Sequence, residues 1–180
     1  LAEMTLKTAT APESVAGYYC CWALMLNERW LKRADNFPKW QFRLLRQGRA
    51  RFTDFGHGQK EGEVEGTLEY IREPYLHFAF SGGWKVWEKR HRKYAKQEAR
   101  ARLKSKVPLS KIFSRHASER NPAIKKLVTR LPGWPFLRFL YTYVLRGGFL
   151  EGREALEYCR RIWWYEEGIQ KEMKALKKAE

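Results

Sequence analysis

The hydrophobic pattern of this chain changes its period near the Ser-Gly-Gly sequence at residues 81–83. Before this point apolar and polar residues alternate in short runs such as WQFRL at 40–44, which is typical of strands with one buried face. From Trp84 to Glu98, mostly aromatic residues recur every three or four positions on one face (Trp84, Trp87, His91, Tyr94 and Glu98), and an apolar stripe with the same spacing starts near Gly152. Strands followed by helices predict an α+β domain, or the second half of an α/β one. We divide the chain into a strand-rich part, 1–83, and a basic helical part, 84–180.

The composition limits the class of protein. The 180 residues suit one domain, and 8 Trp, 9 Tyr and 10 Phe supply enough apolar surface to exclude a disordered tail. The three cysteines are an odd number without metal-ligand spacing, and Cys20 and Cys21 are adjacent, so we infer a reducing compartment. Every apolar run is too short to span a bilayer; the run at 134–145 is interrupted by Arg138.

Positive charge is concentrated in one region. The net charge is +16, and residues 85–130 contain sixteen Lys and Arg but three acidic residues. This imbalance favours an anionic partner, which could be nucleic acid, a phosphorylated ligand or an anionic membrane surface.

Turn residues divide the first 80 positions into short segments. We predict a glycine-rich loop at 54–65, because three glycines fall within residues 55–62. We also predict strands at 15–26, 29–34, 40–45, 49–52 and 75–80. Four prolines divide the region from 108 to 135 into short helical pieces.

The glycine-rich loop is the first candidate site. Its polar residues are Asp54, His57, Lys60, Glu61, Glu63 and Glu65. Imidazole and carboxylate groups suit a divalent cation, and one carboxylate could act as a general base. The alternative is a solvated hairpin-like loop whose glycines only permit tight turns.

The strand at 40–45 is the second candidate. Gln41 and Arg43 lie on its polar side, where a guanidinium can bind phosphate, and the indole of Trp40 can stack on a sugar ring. The alternative is an ordinary edge strand. We interpret His77 as a hydrogen-bonded core residue, and His91 and His116 as solvated or capping residues.

Two helical segments allow two interpretations each. The helix that starts at Trp84 interleaves cations with aromatics, as nucleic-acid surfaces do, but its aromatics keep to one face as in a helix docked on a domain. The segment 134–145 is either buried core or an interfacial helix with Trp134, Tyr141 and Tyr143 at the level of lipid headgroups.

Several segments in order resemble the later half of bacterial family 2 glycosyltransferases, of the type that builds lipopolysaccharide cores and extracellular polysaccharides. The resemblance covers 38–49 (PKWQFRLLRQGR), the loop with His57, 73–78 (EPYLHF), positions in 87–99, and 143–153 (YVLRGGFLEGR). It extends from about Val15 to the end of the chain.

The resemblance implies a partial GT-A fold in which a nucleotide-sugar-binding half precedes the acceptor half. The family's Asp-x-Asp motif, which holds Mg or Mn against the diphosphate, does not occur in this sequence. We therefore expect an acceptor-side fragment, inactive alone, in which 1–11 is the tail of the helix after that motif.

The resemblance also implies roles for individual residues. Trp40, Gln41, Arg43 and Lys60 would bind substrate, and His57 would contact the metal or diphosphate. Many family members have His-Glu directly, whereas this chain has HGQKE at 57–61. The general base is therefore open among Asp54, Glu61 and Glu63, with Asp54 and Glu61 as the catalytic candidates.

The resemblance thus implies a transferase that moves a sugar from a nucleoside diphosphate sugar to a glycan or lipid-linked acceptor in cell-envelope polysaccharide biosynthesis. It would act in the cytoplasm, on the inner face of the bacterial cell membrane, with an anionic membrane surface and no nucleic acid as partner. The alternatives are a basic nucleic-acid-binding module without catalysis and a non-catalytic membrane adaptor.

Overall fold

The computed structural model of the chain describes residues 2–55, 58–106 and 108–179. Its strands are β1 (Val15–Leu26), β2 (Arg29–Trp30), β3 (Trp40–Leu45), β4 (Ala50–Phe55), β5 (Gly58–Val64) and β6 (Thr67–His77). Its helices are α1 (Ala2–Ala9), α2 (Gly83–Lys104), α3 (Leu109–Ile112), α4 (Ala117–Val128), α5 (Trp134–Leu140) and α6 (Gly152–Ala179). A π-helical turn (Tyr141–Leu145) and a 3₁₀ turn (Gly148–Glu151) connect α5 to α6. The predicted mixed α+β fold with a helical C-terminal region is confirmed.

Strand β1 is the centre of the main sheet. It pairs antiparallel with β2 and β3, and parallel with β6, so that Leu24 lies beside His77. Most of its side chains are buried on both faces, as expected of a central strand. Gly17 lies where β3 approaches closely, because a Cβ there would be 2.5 Å from the Phe42 ring.

The predicted loop at 54–65 is wrong for most of its length. Strands β4 and β5 form an antiparallel hairpin that is separate from the main sheet, with Thr53 opposite Lys60 and Phe52 opposite Glu61. Glycine content misled the prediction, because Gly62 lies within the ladder. A Cβ there would be 3.1 Å from the carbonyl oxygen of Arg51, so the glycine permits close pairing.

Two strand predictions were also wrong. Of residues 29–34, only Arg29 and Trp30 form a strand; the following residues turn, with the amide of Asp35 donating to the Leu31 carbonyl. Leu31 and Ala34 are both buried, which is the spacing of a turn and not of a strand. The strand expected at 75–80 is the end of β6, which stops at His77.

The two long helices agree with the sequence pattern. Helix α2 starts one residue before Trp84, and α6 starts at Gly152 as predicted. They pack together through Trp87 and Ala99 of α2 and Ile169 of α6. A second apolar cluster joins the end of β1 to Tyr158 and neighbouring residues of α6, so the parts 1–83 and 84–180 share a core.

The segment 134–145 is buried on one face only. Pro135 and Thr142 are buried, whereas Phe136, Tyr141 and Leu145 are exposed. The buried-core interpretation therefore holds for one face of this segment, and the interfacial interpretation stays a prediction. Within the described residues, we find no helix that combines the length and hydrophobicity needed to cross a membrane.

Candidate functional site

A cavity of about 800 Å³ lies where β1 and β6 end. Because the two strands are parallel neighbours, Leu24 and His77 bring their carboxyl ends to the same edge. Ligands of α/β proteins bind outside the carboxyl ends of parallel strands, and ~300–1,000 Å³ is the usual range for small-molecule sites. The other walls of the cavity come from the turn after β2, the turn after β6, and α2, α4, α5 and α6.

Asp35 forms a buried polar centre in this cavity. It is 4% exposed and accepts hydrogen bonds from the indole nitrogen of Trp22 at 2.9 Å, from Tyr158 Oη at 2.6 Å and from Lys39 Nζ at 2.5 Å. Burial raises the pKa of Tyr158 well above its ordinary value, and the Asp35 carboxylate raises it further. Tyr158 therefore stays protonated and acts as a donor to the carboxylate.

Lys125 and Arg138 line the cavity together with Lys39. Burial lowers the pKa of Lys39 although Asp35 acts in the opposite direction, and the nearby charges of Arg138 and Lys125 lower it further. The cavity is lined by five cations (Lys39, Arg90, Arg102, Lys125 and Arg138) and three carboxylates (Asp35, Glu98 and Glu166). This excess of positive charge favours an anionic ligand.

Glu166 holds the helical walls together. It is 0% exposed and accepts hydrogen bonds from both terminal guanidinium nitrogens of Arg102, from Arg138 and from the Trp134 indole. Burial alone would raise the pKa of Glu166, but Arg138 and Arg102 bring it below its ordinary value. Glu166 therefore stays charged and fixes the side chain of Arg138 at the cavity wall.

Aromatic rings make up much of the remaining lining. The aromatic side chains are Trp22, Phe78, Phe80, Trp87, Tyr94, Trp134, Tyr141, Tyr158 and Tyr165. His91 stacks on Trp87 at 3.6 Å, and its Nδ1 is 2.8 Å from the Trp87 carbonyl oxygen. Flat apolar faces beside hydrogen-bonding groups suit a ligand whose rings carry hydroxyls.

Two of the predicted site residues share a different cluster. Trp40 packs edge-on against Tyr70 at 4.9 Å, and Tyr70 stacks on Tyr19 at 5.2 Å. Burial and a hydrogen bond to the Glu61 carboxylate raise the pKa of Tyr19 to about 12. Trp40 and Glu61 therefore lie at one aromatic surface between the main sheet and the hairpin.

The other predicted site residues are spread over β3 and the hairpin. Gln41 pairs with Cys20, and Arg43 is exposed where the register between β1 and β3 shifts. Asp54 lies opposite Gln59, and Lys60 lies opposite Thr53. His57 falls outside the described residues. None of the described predicted site residues lines the cavity, and their functional roles stay predictions.

The structure differs from the predictions for His77 and His91 and agrees with the prediction for His116. His77 was expected in the core but is exposed at the cavity wall, 5.8 Å from the Trp22 ring. Partial burial lowers its pKa. His91 was expected to be solvated or capping but packs on Trp87. His116 is exposed at the residue before α4, as predicted.

Sequence reasoning missed Asp35, Lys39, Arg138 and Glu166. The signal for Arg138 was present, because a charged residue inside the apolar run 134–145 needs a partner when it is half-buried. The stripe from Trp87 to Glu98 was recognised, and this face of α2 does line the cavity. Asp35 and Lys39 carried no local signal.

Among the described residues, we find no group of three or more His, Cys, Asp or Glu side chains arranged to hold a metal ion. Comparison of the chain with protein-family models, curated proteins and solved structures found no match.

Proposed function

We propose that this chain is the acceptor-side part of a glycosyltransferase that uses a nucleoside diphosphate sugar. The observation that carries the proposal is the cavity at the ends of β1 and β6, which combines aromatic rings, a buried carboxylate and a group of cations. Together with the ordered resemblance described above, this chemistry suits a ligand that is part sugar and part phosphate.

Each part of the lining has a task in this proposal. Sugar rings stack on the aromatic side chains, and a ligand hydroxyl donates to the lone-pair site of Asp35 that its three protein donors leave open. Lys39, Lys125 and Arg138 bind phosphate oxygens and offset the negative charge that develops on a departing diphosphate. A carboxylate must take the proton of the acceptor hydroxyl, but Asp54 and Glu61 lie on the hairpin and do not line this cavity.

The enzyme would act on a glycan or lipid-linked acceptor at the cytoplasmic face of the bacterial cell membrane. The remaining donor contacts and the divalent metal would come from residues outside those described, so we derive no step through the metal. The 180-residue chain alone should bind ligand without turnover. A longer protein that contains this chain and a donor-binding half should transfer labelled hexose to membrane glycolipid, and turnover by the chain alone would overturn this division.

Ligand binding can be tested on the chain as it is. Isothermal titration with a hexose phosphate should show tighter binding than titration with the neutral hexose. Lys39→Met should weaken the phosphate ligand ~10- to 100-fold, the loss of one charge-assisted hydrogen bond. Lys89→Met, on the exposed side of α2, is the matched control and should bind as the wild type does. Equal binding of both ligands, or equal effects of both variants, would contradict the proposal.

The nucleic-acid alternative rests on the cations of residues 85–130. It predicts affinity for DNA or RNA that falls steeply as salt increases. The same preparation can be titrated with duplex and single-stranded DNA, and tight salt-dependent binding without any hexose phosphate binding would favour it.

A further inference from the structure

An apolar ridge follows the outer side of α5 and the turns after it. It consists of Phe136, Leu137, Val144, Leu145, Phe149 and Leu150, whose exposed fractions range from 48% to 77%. So many large apolar side chains in one stretch of chain exceed the scattered exposure that is normal for a protein surface. Exposed apolar patches of this size usually mark a site where another molecule binds.

The ridge stays exposed because the other side of α5 is held against the protein. Phe139 packs against Trp163 of α6 at 5.5 Å, and Pro135 is buried. Thr142 is also buried, and its hydroxyl donates to the Arg138 carbonyl at 2.9 Å. Rotation of the ridge into the core would break these contacts, so its exposure is a feature of the fold.

A cationic cleft meets the ridge at Leu145. The cleft has a volume of about 410 Å³ and is lined by Lys32, Arg33, Phe37, Leu145 and Arg146. Within the described part of the chain, Lys32, Arg33 and Arg146 make no ion pair.

Two neighbouring features shape the cleft. The nearby carboxylate of Glu151 already accepts hydrogen bonds from the backbone amides of Arg33 and Ala34. Gly147 adopts a positive φ of 71°, and a Cβ there would be 2.8 Å from a guanidinium nitrogen of Arg33. The glycine therefore leaves room for the Arg33 side chain.

We propose that the ridge and the cleft together dock the protein on a bilayer that contains anionic phospholipid. The ridge enters the boundary between headgroups and acyl chains, and the cleft binds a lipid phosphate. Residues 134–145 would span about 18 Å at ~1.5 Å per residue, so the segment lies in the interface and does not cross it.

Charge complementarity selects this partner over a second copy of the chain. Two copies that met through this surface would bring their cationic clefts and their net charges of +16 together. An anionic bilayer offers an apolar layer for the ridge and, beside it, phosphate groups for the cleft. The inference rests on the proposed function and deepens it by naming the membrane contact. Vesicle binding is measured without any sugar, so the membrane contact and the proposed sugar binding can fail separately.

The first test is cosedimentation with vesicles. The wild-type chain should bind vesicles of equimolar phosphatidylcholine and phosphatidylglycerol more tightly than vesicles of phosphatidylcholine alone. Leu137→Asp/Leu145→Asp should weaken binding at least ~10-fold, because two apolar anchors are lost. Leu6→Asp/Leu109→Asp, at leucines 64% and 63% exposed on α1 and α3, adds the same two charges; it is the matched control and should retain most of the wild-type binding. Equal losses in both variants, or no vesicle binding at all, would overturn the proposal.

A second pair of variants tests the cleft. Arg33→Glu/Arg146→Glu should abolish the preference for phosphatidylglycerol, whereas Arg49→Glu/Arg51→Glu changes net charge equally and should retain most of it. Equal effects of the two pairs would show that net charge, and not the cleft, determines binding. Light scattering supplies the last check. If the wild-type chain is a dimer and the Leu137→Asp/Leu145→Asp variant is a monomer, the ridge serves self-association and the proposal is overturned.

Discussion

Replacement of Glu166 by Gln tests how the helical walls of the cavity are held in place. The side chain of Glu166 is 1% exposed, and those of Arg102 and Arg138 are 13% and 28% exposed. Glu166→Gln keeps the shape but leaves two largely desolvated guanidinium groups without their shared counterion. Removing one partner of a buried ion pair costs ~3–5 kcal/mol, and we expect the lower end because Glu98 still pairs with Arg102 and Arg138 is partly solvated.

Urea unfolding followed by circular dichroism measures this loss. Glu167→Gln, at the next position of α6, is the matched control and should change the free energy of unfolding by less than about 0.5 kcal/mol. Glu166→Gln/Arg138→Met should recover part of the lost stability, because one uncompensated charge is gone. A loss below about 1 kcal/mol for Glu166→Gln, with an unchanged denaturant slope, would refute the argument.

Three further predictions concern the sheet and the cavity rim. Gly17→Ala should lower the free energy of unfolding by ~1–3 kcal/mol, because its Cβ would meet the Phe42 ring, whereas Gly133→Ala has no neighbour within 4 Å and should stay within about 0.5 kcal/mol. The pKa of His77 is lowered in the folded chain, so the unfolded state binds more protons and the free energy of unfolding should fall as pH drops below ~6.5. Urea unfolding measured above and below that pH should show that the free energy of unfolding depends less on pH in His77→Gln than in the wild type. An unchanged pH dependence would contradict this account. When wild type and Tyr19→Phe are compared by ultraviolet titration, the variant should lack the ionisation of one tyrosine at about pH 12. If the missing ionisation instead lies near the ordinary pKa of tyrosine, the prediction is contradicted.

The long helices could be predicted because their signal is local and repeated. Trp84, Trp87 and Tyr94 recur on one face of α2, and the apolar stripe of α6 continues over many turns, so a single wrong position changes little. Tertiary packing then confirmed the local pattern.

The hairpin and the parallel pairing of β1 with β6 could not be predicted from local sequence patterns. Gly62 looks like a loop residue until Arg51 is known to lie opposite, and β6 reaches β1 only after some forty intervening residues. Pairing of this kind depends on which segments meet, and local composition carries little information about it.

The cavity was beyond local reasoning for the same reason. Asp35 and Tyr158 are 123 positions apart, yet they form one of its central hydrogen bonds. Asp35 lies in a segment that was predicted as strand and turn, and nothing within a few residues of it indicates a buried carboxylate. The predicted residues on β3 were chosen by resemblance and by exposed chemistry, and they fall on a different surface.

The central claim is that the cavity at the ends of β1 and β6 binds the phosphorylated sugar. Isothermal titration of a hexose phosphate into Lys39→Met/Lys125→Met and into Trp40→Ala/Arg43→Ala compares the cavity with the strand surface in one experiment. Our account predicts that the first pair loses at least ~10-fold in affinity while the second binds as the wild type does. Full binding by the first pair, with binding lost in the second, would contradict it.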